Sequence, residues 1–315
     1  MKPLLTLLFL LISMTSAFSQ TAIDLKTGKV HASKLDVSPL HKTRIQARDR
    51  ALALRDSLEY GECIGRAFDL LLLDSLSVAQ QHVERALKLR PDAPGNHILR
   101  HILGKIFWAR RQHKDAIRCF SEILDEHPED IALRFDRATV YYEARQFSAL
   151  LDDCTALLSQ ITPADTAHRK RALYLKSAAH SHLSQHTQEL QALSEIVDMS
   201  PFEESAEVLS ALALRKLERQ EEAVARLNLL LQRCPRSVEA LMARASCEKD
   251  AERWDAARDD YDQVIEIAPQ HAEAYVERAA VLLRLGLKHA ARKDLEKAQQ
   301  LGTPYAELKS LFEKF

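Results

Sequence analysis

Glycine is scarce in this chain, at 7 of 315 residues, and those seven are scattered at positions 28, 61, 65, 95, 104, 286 and 302. A loop that cradles phosphate needs its glycines clustered, so that chemistry is excluded. An excess of one charge is lacking too: 44 Lys and Arg stand against 45 Asp and Glu, for a formal net charge of -1. The balance leaves no electrostatic footprint for nucleic acid and no polybasic patch for a membrane surface. Five cysteines (Cys63, Cys119, Cys154, Cys234 and Cys247) include no CxxC pair, and their odd number cannot be fully paired. They read as small buried hydrophobes. HExxH, GxSxG and EF-hand patterns are all absent, and most Asp and Glu fall at solvated helix positions. The chain is therefore read as non-catalytic, with no cofactor and no metal.

What is present favours helix. Ala, Leu, Glu, Arg, Lys and Gln dominate, the residues that lose least on entering a helix. The start of the chain reads as an export signal. Lys2 precedes a short apolar stretch over residues 4–14, and Ala17 and Ser19 are the small residues a signal peptidase requires. Cleavage is expected between Ser19 and Gln20, giving a periplasmic or extracellular protein with no membrane span in the mature chain. The apolar stretch is too short to cross a bilayer, and no later one is long enough.

A fixed period organises the rest. Pro201, Pro235 and Pro269 are each 34 residues apart, as are Ala211, Ala245 and Ala279, and Ala223, Ala257 and Ala291. Extended backwards, the frame gives seven units starting near Tyr60, His97, Ile131, Lys170, Glu204, Val238 and Ala272. The clearest is HILRHILGKIFWARRQHKDAIRCFSEILDEHPED, with Leu103, Gly104 and Phe107 on a first helix, Ala116, Phe120 and Ile123 on a second, and Pro128 closing it. The fourth unit departs most: Glu189 stands where Ala is expected, Ser177 replaces the small Ala or Gly, and a longer loop precedes it. It is read as an irregularity that bends the array.

This pattern resembles the tetratricopeptide repeat family, in an exported bacterial form. The resemblance implies an all-α fold: a right-handed superhelical solenoid of about seven helix hairpins with a C-terminal capping helix. The expected layout is a signal peptide over 1–19, an arm and helix over 20–59 with residues 41–58 covering the first unit, the repeat array over 60–303, and the cap over 304–315. Thr303 would cap that last helix, with Tyr305, Leu308, Leu311, Phe312 and Phe315 on one face. The family's ligands lie in a concave groove built from first helices. In this frame the groove candidates are His101, Trp108, Phe135, Tyr142 and Tyr174, with Arg215 and Lys249 making the later part basic. The implied function is a protein- or peptide-binding scaffold of the cell envelope, its partner another protein or peptide. The alternative is a structural subunit bound through its convex face or ends. A metal-dependent enzyme would have to draw on His180, His182 and His186, which the frame places across a turn.

One further pattern comes from comparing units. Arg66, Arg137, Arg244 and Arg278 precede the small residue of their first helices. Sixteen residues on, three of these units carry Asp153, Asp260 and Asp294, and the other has His82. The units lacking that Arg have Cys119, Ala192 and Arg226 there. A helical hairpin folds such positions opposite each other, so Arg137–Asp153, Arg244–Asp260 and Arg278–Asp294 are expected to form structural ion pairs.

Overall fold

The computed structural model describes residues 37–314, with side chains from Arg48 onward. The expected signal and most of the arm lie outside the described residues, as does Phe315. The described chain is helical throughout: α1 (Val37–Leu72), α2 (Leu76–Leu89), α3 (Asn96–Ala109), α4 (His113–Glu126), α5 (Ile131–Glu143), α6 (Phe147–Gln160), α7 (Thr166–His182) and α8 (His186–Met199), then α9 (Glu204–Lys216), α10 (Gln220–Arg233), α11 (Val238–Asp250), α12 (Trp254–Ile267), α13 (Ala272–Arg284), α14 (Lys288–Gln300) and α15 (Tyr305–Phe312). Two compact units divide it, one ending at Gly61 and the other running over Glu62–Phe315. Within the second, each helix from α2 to α15 packs on the next, and the first helices α5 and α7, and α9 and α11, also touch. That is the stacking of a solenoid, in which hairpins contact only their neighbours.

The hairpins are held by three columns of buried residues. Gly104, Ala138, Ser177, Ala211, Ala245 and Ala279 are the small residues of the first helices, all buried. Opposite them stand Ala116, Leu150, Glu189, Ala223, Ala257 and Ala291, and then Phe120, Cys154, Leu193, Leu227, Tyr261 and Leu295. Volume is traded between columns. Gly104 meets an aromatic ring at the closest range: a Cβ added there would come within 2.4 Å of the Phe120 ring. Leu150 replaces Ala in the hairpin whose third residue is only Cys154. Native packing density leaves no slack for both to be large.

Each hairpin turn closes the same way. Asp74, Arg111, Arg145, Ser184, Glu218, Glu252 and Gly286 all have positive φ, from 56° to 78°. In each turn the following N–H donates back to a carbonyl of the last helical turn, as in Gln112 to Phe107 at 2.8 Å and Leu287 to Leu282 at 2.8 Å. This is the left-handed cap that ends many helices, normally supplied by glycine. Here six of the seven positions carry a side chain and bear the steric cost. Burial of the cysteines follows the core: Cys63, Cys119, Cys154 and Cys247 are buried, Cys234 is half-buried, and all are free. Burial pushes the Cys119 thiol up to about 11 and that of Cys154 up to about 12.

Two boundaries differ from the sequence reading. The helix expected over residues 41–58 is the front of one continuous α1, because Gly61 and Gly65 weaken a helix by about 1 kcal/mol each without ending it. The last helix starts at Tyr305 with Pro304 as its N-cap, so Thr303 does not cap it. Leu308 is its buried anchor, with Leu311 and Phe312 packed alongside, whereas Tyr305 is 54% exposed and stacks on Phe312.

The turns yield a direct test. Glu218 is exposed, so Glu218→Gly relieves its left-handed backbone and should stabilise the protein by about 0.5–1 kcal/mol, less whatever glycine adds to the unfolded chain's freedom. Gly286→Ala should cost about 1 kcal/mol although the new methyl meets nothing within 4 Å. Urea denaturation of both variants measures it; a loss of stability in Glu218→Gly would mean the turn geometry is carried by something other than the backbone.

Candidate functional site

The first helices lie side by side, and charged groups lace one to the next. Asp136 on α5 accepts from His101 at 3.0 Å and pairs with Lys105 at 2.9 Å, both on α3. Burial alone would raise the Asp136 carboxyl, but the hydrogen bond from His101 and the charge of Lys105 outweigh it and hold it below its ordinary value. Trp108 donates its indole N–H to Glu143 Oε2 at 3.0 Å. Farther along, Arg215 pairs with Asp250 at 2.9 Å, and Lys249 pairs with Glu277. Four candidate groove residues, His101, Trp108, Arg215 and Lys249, are thus already engaged in joining neighbouring hairpins.

Phe135 must be corrected outright as a surface residue. It is 1% exposed and packs with Leu157, Ile161 and Ala172 in the seam. Its ring is covered by the guanidinium of Arg171, 4.3 Å from the centroid. Tyr142, seven residues on, is 36% exposed and sits between Phe147 and His182. Tyr174 is half-buried, and burial foremost, then the nearby Glu203 charge, pushes its phenol up to about 12. Between α5 and α7 these residues line an open cavity of about 450 Å³, with Thr139, Tyr142, Lys170, Arg171, Tyr174 and Leu175 on its walls. Lys170 is paired with Glu203 at 2.7 Å. Arg171 is exposed, and no carboxylate among the described residues is within ion-pair range of it.

The three histidines of the fourth hairpin point to different partners. His180 is buried against Gln185 at 2.7 Å, His182 stacks on Phe147 with centroids 4.6 Å apart, and His186 binds Glu189 at 2.9 Å. No group of three metal-ligating side chains is gathered among the described residues. Glu189 proves to be a buried carboxylate in the alanine column, approached by Lys216 at 3.6 Å from the next hairpin. Lys216 also donates to Ser181 at 2.8 Å. Sequence reading missed this contact; its only signal was an acid in an alanine position with a cation in the hairpin beyond.

The arginines of the first helices are bidentate. Arg137 donates to Asp153 at 2.9 and 2.6 Å, Arg244 to Asp260 at 2.9 and 2.6 Å, and Arg278 to Asp294 at 2.8 and 2.7 Å. The three aspartates are buried. Each guanidinium has a third contact on the preceding hairpin's second helix: Ser121 at 3.0 Å, Asn228 at 2.7 Å and Asp262 at 2.7 Å. One side chain therefore ties three helices. In the fifth hairpin, where Ser210 replaces the arginine, the polarity is reversed, and Arg226 on the second helix reaches Glu207 at 2.9 Å. Hydrogen bonds to Asp260 and Asp294 raise the Arg244 and Arg278 guanidiniums further above their ordinary value. This geometry fixes each helix against its neighbours.

The model of the tetratricopeptide repeat family matches residues 103–166, 208–272 and 248–306, together just over half of the chain. A human relative, tetratricopeptide repeat protein 7A, is 30% identical over 129 residues, which is 41% of this chain but only 14% of that protein's length. The crystal structure of a tetratricopeptide repeat protein from Parabacteroides merdae superposes with a TM-score of 0.61 at 22% identity, covering 82% of this chain and 98% of that one. The likeness at that identity is one of fold.

The arginine clamps make a quantitative prediction. Asp260→Ala strands a guanidinium that is only 22% exposed and should cost about 3 kcal/mol. In a double-mutant cycle Arg244 and Asp260 should couple by about 1.5–3 kcal/mol. A coupling near zero in denaturant titrations would reduce the clamp to a surface pair.

Proposed function

Because the chain belongs to the tetratricopeptide repeat family, whose members are in general non-catalytic protein-interaction scaffolds, we propose that it is a scaffold of the cell envelope that holds a segment of another protein against its first helices. The observation that carries the reading is the open cavity between α5 and α7. It combines an aromatic face in Tyr142, an exposed cation in Arg171 and a phenol in Tyr174. Aromatic and arginine side chains at the centre of a contact supply most binding energy. The rest of the first-helix face is cross-braced, so a ligand meets a preformed surface and little ordering cost is lost on binding. The segment accommodated is an extended one carrying an acidic side chain, which Arg171 can meet without first breaking an ion pair. Envelope location rests on the export signal read at the chain start.

Two outcomes are expected. Captured from envelope extracts with the protein as bait, the partner should be lost with Tyr142→Ala combined with Arg171→Glu, while stability changes by about 1 kcal/mol or less. Phe135→Ala should do the opposite, costing about 3–5 kcal/mol. If the cavity variants retain the partner in full, the ligand sits elsewhere. For location, mass spectrometry of the protein from its native cell should find a mature chain starting at Gln20; an intact cytoplasmic chain would refute export.

A further inference from the structure

Helix α1 has two unlike faces. Cys63, Ile64 and Ala67 are buried. Another stripe recurs at alternating steps of three and four residues, the spacing of a helix–helix seam: Ala51, Leu54, Leu58, Gly61, Gly65 and Phe68. It is largely uncovered, with Leu54 45% and Leu58 64% exposed, and a Cβ on Gly61 or Gly65 would meet nothing within 4 Å.

The stripe is complementary to itself when reversed. Laid antiparallel on a second copy about a twofold axis between Leu58 and Gly61, Ala51 faces Phe68, Leu54 faces Gly65 and Leu58 faces Gly61. A large residue meets a small one at every level, which lets two backbones approach closely. The flanking charges obey the same symmetry. Arg48 comes opposite Asp69, and Arg55 opposite Glu62; all four are exposed. Among the described residues Arg55 makes an exposed 3.5 Å approach to its neighbour Asp56. In a parallel pairing these residues would lie on opposite sides of the seam from their copies and could not meet, so their pairing requires the antiparallel arrangement. In a twofold interface each contact occurs twice. Residues 48–72 give a seam about 37 Å long at 1.5 Å rise per residue.

We propose that the chain forms an antiparallel homodimer through this face of α1, independently of the cavity between α5 and α7. The occupant is a second copy and not a foreign helix, because both the size pattern and the charge pattern are matched by the stripe's own sequence.

Sedimentation of the purified full chain across a concentration series tests it, with circular dichroism as the fold control. The wild type should be a dimer. Leu58→Asp, at an exposed site, should be a monomer with unchanged helical signal. Arg55→Glu alone and Glu62→Arg alone should each weaken dimerisation about tenfold or more, and the Arg55→Glu, Glu62→Arg pair should restore it. A monomeric wild type, a dimer indifferent to Leu58→Asp, or a charge-swapped pair no better than either single change would each overturn the proposal.

Discussion

Everything in this array depends on how closely the two helices of a hairpin approach. Side chains at the crossing set that distance, and the column of glycine, alanine and serine in the first helices makes it short. Gly104 against the Phe120 ring is the extreme case. At such separation an arginine on one helix can lie flat against an aspartate on the other, and both of its forks are satisfied at 2.6–2.9 Å. A wider hairpin would leave the same aspartate buried without its partner. The clamps therefore follow from the small column, and their third contact carries the register to the hairpin before. In the fifth hairpin, where the arginine is absent, Arg226 and Glu207 form a cross-link with the charges exchanged. The direction of the pair is therefore free, and the second and fourth hairpins, with Cys119 and Ala192 at the partner position, do without it.

The opening between α5 and α7 lies beside an irregularity. Between the third and fourth hairpins the period lengthens from 34 to 39 residues, measured from the turn residue Arg145 to Ser184. The extra residues become an added turn at the front of α7, which runs from Thr166 with Asp165 capping it through His168 N–H. Ala167 belongs to that turn, and Lys170 and Arg171 follow it onto the cavity wall. Lys170 and Arg171 keep their places in the repeat frame behind that turn, and no carboxylate among the described residues is in ion-pair range of Arg171. The buried Glu189 in the same hairpin is tolerated because His186 and Lys216 meet it.

Much of this was legible in the sequence for a physical reason: a solenoid repeats its contacts, so its constraints recur at one spacing. Prolines, alanines and the arginine–aspartate co-occurrence all repeat with the hairpin. What did not repeat, or repeated without a residue signature, was not legible. The left-handed turns recur seven times but with Asp, Arg, Arg, Ser, Glu, Glu and Gly, so only the last announces itself. Their geometry is imposed by the packed helices on either side, which outweigh the local steric cost. Phe135 and Tyr142 occupy equivalent-looking columns of one helix, yet one is sealed and the other open. A first helix has neighbours on both flanks, and the frame alone does not say which flank a column faces. The continuity of α1 was not legible because the frame starts a unit near Tyr60, and the helix runs through that boundary and through Gly61 and Gly65.

A stacked array also leaves two terminal faces that no neighbouring hairpin covers. At the C-terminal end α15 meets that need: Leu308 is fully buried against the core of the last hairpin, and Leu311 and Phe312 close its margin. The helix is only 8 residues long, because one buried anchor is enough where the surface to be covered is narrow. At the other end the chain contributes a helix of 36 residues, far longer than the 13–17 of the first helices that follow. Its length exceeds what one hairpin can cover, and its second stripe carries leucines into solvent. An isolated helix gains little from exposed leucine, and charged residues would serve solubility better. A long helix with one buried face, one apolar exposed face and charges ordered along their border has the composition of a contact surface, and its order, basic before acidic, is what its own reversed copy would meet.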